Sequence, residues 1–124
     1  MTRAEVLDYA RERYGTRPDA PWADSPDAVI LRHEPGGRWY GLIMSVARGK
    51  LRPGAQGVAD ILNVKCEPLL VDALAGQRGF ARAYHMNKTH WLSIVLDEAP
   101  DDEQVRWLLD ESYRLTDARR AGRK

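Results

Sequence analysis

Two β-rich runs, residues 28–33 and 39–46, flank Glu34, Pro35, Gly36, Gly37 and Arg38. Gly and Pro supply the dihedrals that a chain reversal needs, so this pattern is a hairpin signature. It constrains the fold more than any other feature. Two antiparallel strands are marginal alone and require further strands and a covering layer. Within the second run, Tyr40, Leu42, Met44 and Val46 fall on one side, and Trp39, Gly41, Ile43 and Ser45 on the other. The period of two therefore predicts one apolar side, turned toward the covering layer.

Helical signals supply that layer. Thr2 and Glu5 form a T-x-x-E capping box, followed by Val6, Tyr9, Ala10 and Tyr14 at helical spacing before Gly15. Pro68 opens a short helix of Leu69, Leu70, Ala73 and Leu74 that Gly76 closes. A last helix starts at Asp101, with Gln104 three residues on, and aligns Val105, Leu108, Leu109, Ser112 and Tyr113 on one stripe. Two more strands are expected. Residues 60–66 alternate Leu62, Val64 and Cys66 against Ile61, Asn63 and Lys65, which suits a strand showing polar groups on an open face, and residues 91–96 form the other. Residues 16–27 and 47–59 are broken by Pro, Gly and Asp and read as connections, with Trp22 expected to plug the edge of the core.

The expected fold class is therefore α+β: a two-layer sandwich of an antiparallel sheet with helices on one face and the other face wet. Residues 1–118 make a single domain, and the basic tail 119–124 lacks apolar anchors and should fray. At 44% hydrophobic and 30% charged residues, the chain belongs with globular proteins rather than disordered ones. Its apolar runs are too short for a membrane span, no export signal is visible, and the lone Cys66 agrees with a reducing compartment. A cytoplasmic monomer with no membrane association is the expectation.

Charge is divided along the chain. Residues 28–96 carry nine Lys or Arg against four Asp or Glu, whereas both flanking stretches are net acidic. This basic middle holds Arg48, Lys50, Arg52, Lys65, Arg82, His85, Asn87, Lys88 and His90 with the aromatics Trp39, Tyr84 and Trp91. Cations neutralise phosphates, amides read base edges and aromatics stack on exposed bases, so the set suits nucleic acid. The competing reading is ordinary: aromatics in the core and cations solvated. It applies most directly to Trp39 and Trp91.

Other chemistry fits less well. His33, His85, His90 and Cys66 lack the local pairing of a zinc site. Cys66 with His85 is the one pairing open to nucleophilic catalysis, and Cys66 reads more simply as a small core residue. Gly49 with Lys50 lacks the Ser or Thr of a Walker loop, and the Gly54-x-x-Gly57 spacing lies between strands rather than helices. The acidic cluster Asp97, Glu98, Asp101, Asp102 and Glu103 is explained by the positive end of the helix dipole. No enzyme signature, metal or cofactor is expected.

Residues 80–91 read F-A-R-A-Y-H-M-N-K-T-H-W, which resembles the Y-H-M-N-K-x-H-W signature of the MmcQ/YjbR-like proteins. Residues 63–68, N-V-K-C-E-P, and 112–116, S-Y-R-L-T, are similar to two further stretches of that family. The resemblance implies a CyaY-like (frataxin-like) α+β fold and DNA binding through a double wing of strands and loops. It marks Lys65, Tyr84, His85, Asn87, Lys88 and Trp91 as signature residues. The expected function is non-enzymatic DNA binding through a basic open sheet face and its flanking loops, using Arg48, Lys50, Arg52, Lys65, Arg82, Tyr84, His85, Asn87, Lys88 and His90. The alternative is a module that binds a protein partner or a small anion. A frataxin-like iron site at the acidic cluster ranks behind both.

Overall fold

The Thr2 side chain accepts from Glu5 N while Glu5 returns a bond to Thr2 N, and this capping box starts α1 (Arg3–Tyr14), which Gly15 closes in the left-handed region. The computed structural model describes residues 1–34, 36–99 and 101–117; the expected frayed tail at 119–124 lies outside them. Five strands follow in the order β1 (Val29–Arg32), β2 (Trp39–Ala47), β3 (Val58–Lys65), β4 (Phe80–Arg82) and β5 (Trp91–Val95). They form one antiparallel sheet, β1-β2-β3-β5-β4. The short helix α2 (Pro68–Leu74) precedes β4, and α3 (Asp102–Thr116) ends the fold. Among the described residues, no helix is long and apolar enough to cross a membrane.

All three helices pack on one side of the sheet. Val6 and Ala10 of α1, Val71 and Leu74 of α2, and Val105, Leu108 and Leu109 of α3 share a core with Leu31, Ile43, Leu62, Val64, Leu92 and Ile94. Polar contacts tie α1 to α3. Tyr9 and Tyr14 both donate to the Asp110 carboxylate, and the N-terminal amine lies 2.8 Å from Asp102. Cys66 belongs to this core, where burial pushes its thiol up to about 12.

Two expectations about the sheet are corrected. Leu31 pairs with Gly41 but Arg32 pairs with Trp39, so Tyr40 is an extra residue in a bulge. The bulge turns Tyr40 to the helix side with Ile43, where its ring meets Tyr14, Tyr113 and His33, while Leu42, Met44 and Val46 face away. The second correction concerns the face expected to be wet. Val46, Ala59, Ile61 and Val95 are buried there under Leu51 and Tyr84, and Asn63 has no exposed surface. Two loops, each carrying an apolar anchor, cover it. Trp22 does not plug the core edge: it is 38% exposed and packs edge-on against Trp39 at 6.0 Å. The edge of β1 is occupied instead by Asp19, which exchanges two backbone bonds with Ile30.

Candidate functional site

Beyond β2 the chain makes a 3₁₀ turn (Arg48–Lys50), and Arg48 N donates to Gly57 O at 2.9 Å, closing the loop that leads to β3. Opposite it, residues 75–79 connect α2 to the edge strand β4. Between them lies a cleft of about 840 Å³, lined by Arg48, Lys50, Arg52, Arg78, Arg82 and Lys88, with Tyr84, Val95 and Glu98. The connection passes this close to the end of β5 because residue 79 is glycine. Its φ is +91°, and a Cβ there would stand 2.8 Å from Ala99 Cα and from the Glu98 carbonyl oxygen.

The cations are not equally free. Arg48 reaches Asp97 at 2.5 Å and Glu98 at 2.6 Å, and Arg52 reaches the other Glu98 oxygen at 3.2 Å. The Arg48 hydrogen bond holds the Asp97 carboxyl below the usual carboxylate range. Arg82 pairs with Asp72 at 2.9 Å, and Lys88 Nζ donates to Ala83 O at 2.8 Å. Lys50 and Arg78 have no ion-pair partner among the described residues. Two of the five residues of the acidic cluster are thus engaged in a way that the helix dipole does not explain. Asp97 and Glu98 fasten the basic loop, whereas Asp101 caps α3 by accepting from Glu103 N at 2.9 Å.

Residues 83–90 form the third wall. Asn63 Nδ2 donates to Tyr84 O at 2.9 Å, Ser93 Oγ donates to Asn63 Oδ1 at 2.5 Å, and Tyr84 N donates to Ser93 Oγ at 3.0 Å. This network pins the segment across the outer sheet face. Asn87 Oδ1 accepts from Thr89 N and His90 N, an Asx-type turn that leads into β5. His85 has φ +64°, and its ring centroid lies 4.0 Å from that of Tyr84.

The family model described as YjbR matches residues 11–115. The chain belongs to the YjbR family. Bacillus subtilis YyaQ, an uncharacterized protein, is 40% identical over 94% of this chain and 98% of its own. Escherichia coli YjbR, also uncharacterized, is 35% identical over 54 residues, 43% of this chain and 46% of its own. A crystal structure of a Pseudomonas syringae protein superposes with a TM-score of 0.88 at 34% identity, covering 94% of this chain and 99% of the other. A Deinococcus radiodurans protein superposes with a TM-score of 0.68 at 24% identity, over 92% of this chain and 77% of the other, a likeness of fold alone.

Of the residues that the sequence singles out, Arg48, Lys50, Arg52, Arg82, Tyr84 and Lys88 line the cleft of this YjbR-family chain. Lys65, His85, Asn87 and His90 do not. Lys65 ends β3 opposite Trp91, on a face that the expectation left bare and the loops occupy. Asn87 is spent on the turn, and the His90 carbonyl accepts from Cys66 N. Asn63, expected to face outward, is buried because it satisfies the backbone of residue 84. Sequence reasoning passed over Arg78 as a site residue and weighed Glu98 only within the acidic cluster. Arg78 sits between Gln77 and Gly79 in the turn after α2, and its only signal was its place in the basic middle.

Proposed function

We propose that this YjbR-family chain is a non-enzymatic DNA-binding protein of the cytoplasm, acting as a monomer, and that the cleft beside β4 receives backbone phosphates. The observation that carries the reading is the convergence of six cations from three stretches of chain on one concave surface. Glu98 within the cleft and Asp72 and Asp97 at its margin oppose them, leaving a surplus of positive charge that favours a polyanion. Loop 48–57 and segment 83–90 flank the cleft, and they are the natural counterparts of the double wing in a frataxin-like framework. The basic surface is thus relocated from the sheet face, which the loops cover, to the sheet edge.

Fluorescence anisotropy with labelled DNA across a salt series tests the proposal. Among the described residues Lys50, Arg78 and Lys88 pair with no carboxylate, so three phosphate contacts should give a log–log slope near −2.7, at about 0.9 per contact, steepening toward about −5 if the paired arginines also engage. Lys50→Glu/Arg78→Glu should abolish binding. A flat salt response, or a double variant that binds like the parent protein, rejects the reading. One contact favours a second reading, small-anion binding: the Glu98 carboxylate already lies between Arg48 and Arg52, as a bound anion would. Stabilisation by pyrophosphate, in a protein that ignores DNA, would put the second reading in place of the first.

A further inference from the structure

We propose that the cleft takes single-stranded DNA, its bases stacking against the Tyr84 ring within the cleft and the His85 ring beside it while Lys50, Arg78 and Lys88 hold its phosphates; the inference rests on the DNA reading above. Tyr84 lines the cleft and is also packed on the buried cluster Val46, Ala59, Ile61 and Val95, so its ring is held in place before any ligand arrives. His85 is exposed and lies against it, with ring centroids 4.0 Å apart and planes at 50°. Together they present an aromatic ledge whose inner member is anchored and whose outer member meets solvent.

The backbone at His85 strengthens the case. Its φ of +64° is in the left-handed region, where glycine is at ease and where, of the other residues, Asn, Asp and His are found most often. The network of Asn63, Ser93 and the Tyr84 backbone holds the preceding residue, and the Asn87 turn holds the following stretch. The fold accordingly needs the turn, and glycine would serve it at less cost. The imidazole packs on Tyr84 and hydrogen-bonds to none of the described residues. What the side chain adds is a second exposed ring beside the first.

A ring next to a basic groove selects for unpaired bases. Any base of a single strand offers a π-face, so stacking tolerates sequence while cations track the backbone. A duplex hides those faces in its own stack and shows only base edges, which proteins reach by inserting a helix or ribbon into a groove about 12 Å wide. The cations of this chain line a concavity into which a flexible strand can descend, whereas a duplex is stiff and of fixed diameter.

The test compares fluorescein-labelled oligo-dT of about 12 nucleotides, within the span of single-strand sites, with a duplex of equal length, by anisotropy at low salt. The expected result is tighter binding of the single strand by about tenfold or more. His85→Gly suits the left-handed backbone and keeps the fold, and it should weaken oligo-dT binding by about 5- to 150-fold per lost stack while leaving the duplex unchanged. Tyr84→Leu should also weaken oligo-dT binding and Tyr84→Phe should retain it, with circular dichroism confirming that each variant folds. Equal affinity for both forms, with His85→Gly and Tyr84→Leu silent, overturns the single-strand inference and leaves the DNA reading standing. Failure of both forms to bind sinks the two together. An oligo-U of equal length runs in parallel, and tighter binding of the ribose strand overturns the assignment to DNA.

Discussion

Asn63→Ala should destabilise the protein by about 3 kcal/mol through the loss of two buried hydrogen bonds. The side chain has no exposed surface, donates to Tyr84 O at 2.9 Å and accepts from Ser93 Oγ at 2.5 Å. Removing it costs about 1 kcal/mol per bond, and the stranded carbonyl and hydroxyl add about 1 kcal/mol or more between them. Ser93→Ala should cost a similar amount, because the hydroxyl also accepts from Tyr84 N at 3.0 Å. The bond between Asn63 and Ser93 belongs to both single variants. The double variant should therefore fall short of the sum by about 1 kcal/mol or more, which is the coupling energy of the pair. At this chain length each kcal/mol moves Tm by about 4 °C, so each single variant should melt about 12 °C lower. Urea unfolding read by two probes gives the energies, and amide exchange over residues 84–90 tells whether the segment opens locally first. Strict additivity within about 0.3 kcal/mol, or a loss below about 1 kcal/mol for Asn63→Ala, would mean that the Tyr84 backbone is satisfied without this network.

Glu98→Gln removes the carboxylate that Arg48 and Arg52 share, so DNA affinity should rise several-fold and the salt slope should steepen by about 1 to 2; unchanged binding would show that neither arginine reaches the ligand. His33 packs against Tyr113 at 4.1 Å with Nε2 2.7 Å from Thr116 Oγ, and burial lowers its pKa. A depressed histidine contributes stability that is complete above the ordinary value of 6.5 and is lost as pH falls through the lowered one. Tm should therefore drop on acidification below neutrality, and His33→Gln should flatten that drop. Cys66, 1% exposed and with its thiol pushed up to about 12, should resist thiol reagents at pH 8 in the folded protein and react at once in denaturant.

Much of the fold was legible because its elements announce themselves locally. The Thr2–Glu5 box, the Pro68 start of α2, the apolar stripe of α3 and the Gly-Pro turn between β1 and β2 each depend on a few adjacent residues. What escaped depends on distant ones. The alternation in β2 presumes an unbroken ladder, and the bulge at Tyr40 exists because β1 and the aromatic cluster around Tyr14 and Tyr113 pull that ring to the helix side. The strand β4 is three residues long and has no alternation to display. The covering of the outer face hangs on Leu51 and Tyr84, single apolar residues in polar loops, where periodicity carries no signal. The site was half legible for the same reason. A count of charge by blocks found the basic middle, but it placed Asp97 and Glu98 in a separate acidic block, although the end of β5 brings them beside Arg48.

The division of labour within residues 80–91 bears on why the family is easier to recognise than its activity. The most distinctive residues of the stretch shape the backbone: Asn87 makes the turn, Lys88 ties back to Ala83 O, and the Tyr84 backbone engages Asn63 and Ser93. A turn of that shape needs those residue types at that spacing, so the motif is long and specific. Phosphate contact makes weaker demands. Arginine or lysine on any neighbouring loop will serve, and Lys50, Arg52 and Arg78 come from connections with no motif of their own. In this chain the signature stretch shapes the backbone beside the cleft, while four of the six cations that line it, Arg48, Lys50, Arg52 and Arg78, stand outside that stretch.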